Sequence, residues 1–171
     1  MDVKLYTLQT LQETAIWREA FQKGGIDRPI GYYAECFEAC RGGARITVLA
    51  EADGRIAGCG HLVKESQYAP FREAGIPEVN DLNVLPEYRR RGIGDKLLVE
   101  LEAIASRSYA SIGIGVGLYA DYGPAQRLYA RRGYVPDGRG LCYGGETVQP
   151  GGLVRADDDL TLYLTKALNV K

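Results

Sequence analysis

The sequence predicts one mixed α/β domain, and three observations carry that expectation. Strand-like and helix-like stretches alternate along the 171 residues, with no linker, internal repeat or low-complexity run between them. Hydrophobic residues make up 46% and charged residues 25%, which sustains a core and argues against wholesale disorder. A chain of this length buries roughly 70% of its unfolded surface, enough for a self-supporting fold. The expected architecture is therefore a central sheet flanked by helices, in a single domain over 1–171.

Val3-Lys4-Leu5-Tyr6 reads as an opening strand. Two helical stretches follow, at about Leu11–Lys23 and Tyr32–Arg41, separated by Gly24-Gly25, Pro29 and Gly31. Arg45–Glu51 and Arg55–Val63 are strand-like, and Asp53-Gly54 between them is a hairpin turn signal. Lys64–Pro77 is polar and turn-rich and is expected to be a loop. Glu78–Leu85 reads as a strand, and Pro86–Gly94 as a basic, glycine-containing turn. Leu97, Leu98, Leu101, Ile104 and Ala105 recur at helical spacing, which predicts a helix to about Arg107. Ser111–Tyr119 is a glycine-laced buried strand, and Pro124–Arg132 a short helix stopped by Gly133. Tyr134-Val135 begins another strand, Gly138–Asp158 is expected to be a long, partly irregular loop, and Leu160–Thr165 is the final strand.

Lys and Arg number 21 against 22 Asp and Glu, so no overall field draws the protein to nucleic acid or to an anionic membrane. Apolar stretches fall short of the ~20 residues that a membrane span needs. Met1-Asp2-Val3-Lys4 lacks the basic-then-apolar order of a signal peptide, and the expected compartment is the cytoplasm. Cys36, Cys40, Cys59 and Cys142 form no CxxC pair, and His61 has no second ligand beside it, so no metal site is expected. The cysteines suit small core residues.

The most informative segment runs from Leu82 to Leu98. A strand ends, a turn brings three arginines (Arg89, Arg90, Arg91) and two glycines (Gly92, Gly94), and an amphipathic helix begins. The first amides of a helix lack intrahelical partners and sit at the positive end of its dipole, so such a turn accepts an anion. Glycine lets a phosphate oxygen approach the main chain without meeting a Cβ. A dinucleotide fingerprint would need a third glycine where Leu97 stands, and no Gly-Lys-Ser/Thr follows to make a nucleotide-hydrolase loop.

Arg89-x-x-Gly92-x-Gly94 resembles the Q/R-x-x-G-x-G/A acetyl-CoA signature of the GNAT superfamily of N-acetyltransferases, and Leu82-Asn83-Val84-x-Pro86 resembles the strand that enters it. Downstream, Ala125-x-x-Leu128-Tyr129-x-x-x-Gly133-Tyr134 is similar to a second element of that family, and the resemblance spans about three quarters of the chain. It implies a mixed sheet splayed at the cofactor site, with the pantetheine arm of acetyl-CoA on the main chain of Leu82, Asn83 and Val84. It also implies that the amides of Arg90, Arg91, Gly92, Ile93, Gly94 and Asp95 hold the pyrophosphate, with Arg89 at the rim. One departure stands out: Tyr122 occupies the place of a cofactor-contacting asparagine found in many members.

Acetyl transfer to an amine needs a neutral nitrogen, a polarised thioester and a proton for the leaving thiolate. The resemblance gives the proton to Tyr129. An alkyl ammonium has a pKa near 10.4, so a base assists at neutral pH. Glu78 and Asp81 are the candidates, with a water chain as the third option. Strict alternation would put Asp81 with Val79 and Asn83 on one face and Glu78 on the other, unless a bulge intervenes. Tyr119 and Tyr122 suit either the substrate side or core packing. His61 suits a half-buried structural role. The acidic run Asp157-Asp158-Asp159 is open between attraction of a cationic amine and ordinary solvation.

The expected activity is thus acetyl-CoA-dependent N-acetylation of a primary amine, in a small molecule rather than a protein N-terminus or lysine, by direct attack on the thioester. A non-catalytic acyl-CoA-binding module is the alternative from another class. Nucleic acid is not an expected partner, because one three-arginine cluster on a near-neutral chain releases few counterions. A homodimer is compatible with the resemblance.

Overall fold

The computed structural model describes residues 2–169. The chain runs β1 (Val3–Thr7), α1 (Leu11–Lys23), α2 (Tyr32–Arg41), β2 (Arg45–Ala52), β3 (Arg55–Val63), α3 (Ala69–Ala74), β4 (Glu78–Val84), α4 (Ile93–Ala105), β5 (Ser111–Gly117), α5 (Gly123–Arg131), β6 (Val135–Tyr143), β7 (Glu146–Thr147) and β8 (Leu160–Ala167). Short 3₁₀ turns lie at Pro86–Tyr88 and Ala120–Tyr122. Two compact units result, one through Lys64 together with Val79–Ile104, the other made of Glu65–Glu78 and the chain from Ala105. None of the helices among the described residues is long and apolar enough to cross a membrane.

The first unit orders its strands β1-β2-β3-β4. Asp53 (φ 49°) and Gly54 (φ 80°) both take positive φ, the requirement of a two-residue type I′ hairpin, and β2 pairs antiparallel with β3. A capping box starts α1: Thr10 Oγ1 accepts from the Glu13 amide at 3.1 Å, and Glu13 accepts from the Thr10 amide at 2.9 Å. Trp17 and Phe21, one turn apart on α1, are fully buried and pack with Leu49, Ile56, Cys59 and Leu85. Each such side chain contributes about 1.5–3 kcal/mol on burial.

The second unit orders its strands β5-β8-β6-β7, paired antiparallel. One expectation fails here and another holds only in part. The predicted loop Lys64–Pro77 contains α3, whose six residues are too few to show helical periodicity. Pro70 sits in its first turn and Gly75 ends it at φ 64°, so the punctuation was present without the pattern. The predicted irregular segment Gly138–Asp158 instead continues β6 to Tyr143 and adds β7. Its pairing with β8 jumps from Pro136↔Leu164 to Leu141↔Leu162, and Gly138 (φ 83°) and Gly140 (φ 78°) absorb the extra residues in a bulge. Asp137 fixes that bulge by accepting from the Arg139 amide and from the Tyr68 hydroxyl, at 2.9 and 2.8 Å.

Candidate active site

β4 carries the first candidate residues, and its pleat is broken in the middle. Asp81 adopts φ 46°, the left-handed region that a residue with a Cβ seldom enters. The strand then leads through Leu85 and the Pro86–Tyr88 turn into the arginines. Arg90 (φ 59°) and Gly92 (φ 77°) are also left-handed, and α4 begins at Ile93, so Gly94 lies in its first helical turn rather than in the preceding loop. Ile93 is 1% exposed, and Leu97, Leu98 and Leu101 are fully buried. These anchors fix the start of the helix while Arg89, Arg90, Arg91 and Gly92 stay exposed. Arg89 does not simply extend into solvent: its Nε donates to the Val84 carbonyl at 3.0 Å, tying the turn back to the strand. The Arg91 guanidinium lies 5.9 Å from the Tyr88 ring centroid.

Gly58 and Gly60 on β3 hold β4 close. A Cβ at Gly58 would lie 2.5 Å from the Asn83 carbonyl oxygen and 3.3 Å from Val84 Cα, and one at Gly60 would meet Leu101 and Leu82 at 2.9 and 3.0 Å. Sequence reasoning did not single out these glycines. Two glycines on one face of an otherwise apolar strand were the available signal for a close backbone approach.

Asp81 is the centre of a polar cluster within the first unit. Arg28 donates twice, Nε to Oδ2 at 3.1 Å and Nη2 to Oδ1 at 2.5 Å. Tyr32 Oη donates to Oδ2, and Asn83 Nδ2 donates to Oδ1. Tyr32 Oη also lies 2.9 Å from His61 Nε2, and His61 Nδ1 lies 2.8 Å from Thr47 Oγ1. Burial alone would raise the Asp81 pKa, but the nearby His61 ring, 3.8 Å away, the Tyr32 hydrogen bond and the Arg28 charge hold it well below the usual carboxylate range. Burial pushes His61 below its ordinary value, toward the neutral ring. A carboxylate stabilised in this way is a weak base.

Glu78 has the opposite electrostatics. It is 8% exposed, and desolvation raises its pKa against the opposing effect of the Ser66 hydroxyl, which donates to Oε2 at 2.5 Å. Ser66 is held in turn by the Tyr68 amide at 3.0 Å. A raised carboxyl is better matched to a proton transfer near neutral pH. Tyr129, on α5, is 6% exposed, and burial pushes its hydroxyl up to about 12. Tyr122 donates to Asp158 at 2.9 Å, Tyr119 donates to the same oxygen, and Tyr143 donates to Asp157 at 2.9 Å. Two members of the acidic run therefore serve as tyrosine acceptors.

Cys59 Sγ, a His61 ring nitrogen and an Asp81 oxygen lie within 4.8 Å of one another, a spacing that metal ligands could adopt. The donor chemistry does not suit a cation. The Arg28 guanidinium already occupies the carboxylate, and burial raises the Cys59 thiol well above its ordinary value, which opposes the thiolate that a metal needs.

The strand, the arginine turn and the helix start occupy the middle of a segment, residues 43–136, that matches the family model of the acetyltransferase (GNAT) domain over more than half of the chain. The chain belongs to the GNAT acetyltransferase family. Solved structures share its α/β fold along nearly the whole length. A GNAT-family protein from Desulfovibrio desulfuricans superposes with a TM-score of 0.71 at 18% identity, covering 97% of this chain and 99% of its own. A phosphinothricin acetyltransferase from Sinorhizobium meliloti, solved with acetyl-CoA, gives 0.70 at 16%, covering 98% and 89%. The ribosomal-protein-S18-alanine N-acetyltransferase of Escherichia coli gives 0.68 at 13%, covering 99% and 96%. No curated protein sequence matches this GNAT acetyltransferase significantly.

Proposed function

We propose that this GNAT acetyltransferase works in the cytoplasm as a single catalytic domain spanning the chain. It moves the acetyl group of acetyl-CoA to the primary amine of a small molecule. The observation that carries the cofactor assignment is the junction of β4 and α4, where Arg90 and Gly92 take left-handed conformations immediately before Ile93 opens the helix. A turn of that shape in front of a helix N-terminus offers main-chain amides and a positive dipole to a diphosphate. In this reading the amides of Arg90–Asp95 receive the pyrophosphate, Arg89 and its neighbours supply charge at the rim, and the main chain of Leu82, Asn83 and Val84 receives the pantetheine arm.

The amine attacks the thioester carbonyl directly, the C–S bond breaks, and the departing thiolate takes a proton from Tyr129. Burial pushes the Tyr129 phenol up to about 12, above a thiol at about 8.5, so it assists by hydrogen-bonding or by transfer only when the thiolate is placed closely against it. Glu78 is the better matched of the two acids to receive the ammonium proton, because its raised pKa stands closer to the working pH than that of Asp81. The phosphinothricin acetyltransferase among the structural neighbours supports a small-molecule acceptor. The ribosomal-protein acetyltransferase supplies the rival, a protein N-terminus.

The test pairs calorimetry of coenzyme A binding with thiol release from acetyl-CoA over small amines and over peptides with free N-termini. Coenzyme A should bind, and a small amine should release thiol. Turnover confined to peptides would replace the acceptor class. Coenzyme A binding without turnover on any amine would favour a non-catalytic acyl-CoA module.

A further inference from the structure

We propose that Arg28, Tyr32 and His61 are positioning residues: they clamp Asp81 in its left-handed conformation and so fix the peptide groups of Leu82–Val84 that receive the pantetheine arm. The inference rests on the acetyl-CoA assignment above and adds to it residues that lie outside both sequence motifs.

Four donors converge on the Asp81 carboxylate, two from Arg28 and one each from Tyr32 and Asn83. An ionised carboxylate has about four acceptor sites, so none is left over for an amine or its proton. The donors come from separate parts of the unit: Arg28 from the segment between α1 and α2, Tyr32 from the first residue of α2, and Asn83 from β4 itself. Proton order through the cluster is self-consistent. The Tyr32 hydroxyl gives its hydrogen to Asp81, so its oxygen accepts from His61 Nε2–H; the other ring nitrogen then accepts from the Thr47 hydroxyl, and Thr47 accepts from the Cys40 thiol at 3.3 Å. That order requires a neutral ring, which the complete burial of His61 favours. Thr47 and His61 are directly opposed partners in the β2–β3 register, so the chain of bonds is anchored on a hairpin.

The clamp acts where a strand would otherwise relax. Left-handed φ is unfavourable for a residue bearing a Cβ and persists only when its surroundings over-determine it. The Cys59 thiol adds a contact to the Asp81 carbonyl at 3.6 Å, so both the side chain and the main chain of Asp81 are held. Asn83, the middle residue of the proposed pantetheine strand, is tied to the same carboxylate. Gly58 and Gly60 leave no slack between β3 and this strand. A carboxylate saturated in this way positions the backbone and does not act as the general base.

Two ligands separate the clamp from the phosphate site. Coenzyme A uses both the strand and the turn, whereas adenosine 3′-phosphate 5′-diphosphate carries the pyrophosphate without pantetheine and uses the turn alone. Calorimetry on the whole protein would compare both ligands for the wild type, Tyr32→Phe, Arg28→Lys and Asp81→Asn, with circular dichroism on each. In Tyr32→Phe and Arg28→Lys, coenzyme A should bind about tenfold more weakly, while the nucleotide stays within about twofold. Asp81→Asn should weaken coenzyme A at least as much: its backbone tolerates left-handed φ, but its NH2 group faces two donors where the carboxylate oxygen accepted, and Arg28 loses its counter-charge. Should Tyr32→Phe fail to fold, Arg28→Lys, which keeps the charge but not the paired geometry, decides. Unchanged coenzyme A affinity, or equal weakening of both ligands, overturns the proposal. A wild type that binds neither ligand instead refutes the acetyl-CoA assignment, and removes the proposal with it, before any variant is measured.

Discussion

Replacing Gly58 with alanine tests how tightly β4 is held where it is assigned to meet pantetheine. The added Cβ would stand 2.5 Å from the Asn83 carbonyl oxygen and 3.3 Å from Val84 Cα. An ordinary carbon–oxygen contact is about 3.3 Å, so the strand must yield by roughly 0.8 Å. The obstacle is backbone, not the mobile end of a side chain. Overpacking of this kind costs about 1–3 kcal/mol, and replacing a strand glycine returns about 0.5–1 kcal/mol. The net is a loss of up to about 2.5 kcal/mol, a fall in Tm of up to roughly 10 °C for a chain of this size. Gly123→Ala is the control, since nothing lies within 4 Å of its Cβ and its φ is −51°. Thermal melts followed by coenzyme A calorimetry should show Gly58→Ala less stable and at least several-fold weaker in binding, with Gly123→Ala unchanged. A Gly58→Ala protein with wild-type Tm and wild-type affinity would refute the close strand packing and its link to the cofactor.

Tyr129→Phe should lower kcat about a hundredfold while leaving coenzyme A affinity intact, the signature of a lost proton donor; equal turnover would dismiss the assignment. Ser66→Ala removes the hydrogen bond that favours the Glu78 carboxylate, so the acid limb of the kcat/KM profile should move to higher pH if Glu78 is the base. An unmoved limb points to water. Stability should fall as the pH drops below about 6.5, because the unfolded chain protonates its histidine before the buried ring of His61 does. Asp81, also depressed in the folded state, adds its loss only below about pH 4, while Glu78, raised, works in the opposite direction as the pH falls toward its value. Denaturant titrations of wild type and His61→Gln across pH 5–8 would check this, and the variant should lose the slope.

The local chemistry of the chain already specified much of the fold. α1 and α2 fall where glycine and proline punctuation placed them, and Asp53-Gly54 makes the expected hairpin, because caps and turns depend on a few adjacent residues. The arginine turn and the presence of α4 after it were legible for the same reason, though the helix starts two residues earlier than the turn Pro86–Gly94 allowed, and so was the family. α3 was not, since six residues carry no periodicity, and β6 was hidden because its glycines signal a turn unless a partner strand absorbs them as a bulge. Glu78 and Asp81 were named together as acids on one strand, and nothing in their spacing told them apart. Their difference lies in partners remote along the chain: Arg28, 53 residues from Asp81, gives it a cation and holds it ionised, while Glu78 sits dehydrated against the Ser66 hydroxyl. Sequence by itself determined most of the elements, the glycine- and arginine-containing turn before α4, and the family. Only the tertiary structure decided the opposite electrostatics of the two acids and the partners that converge on Asp81, because burial and Coulomb energy depend on what folding brings within a few ångströms.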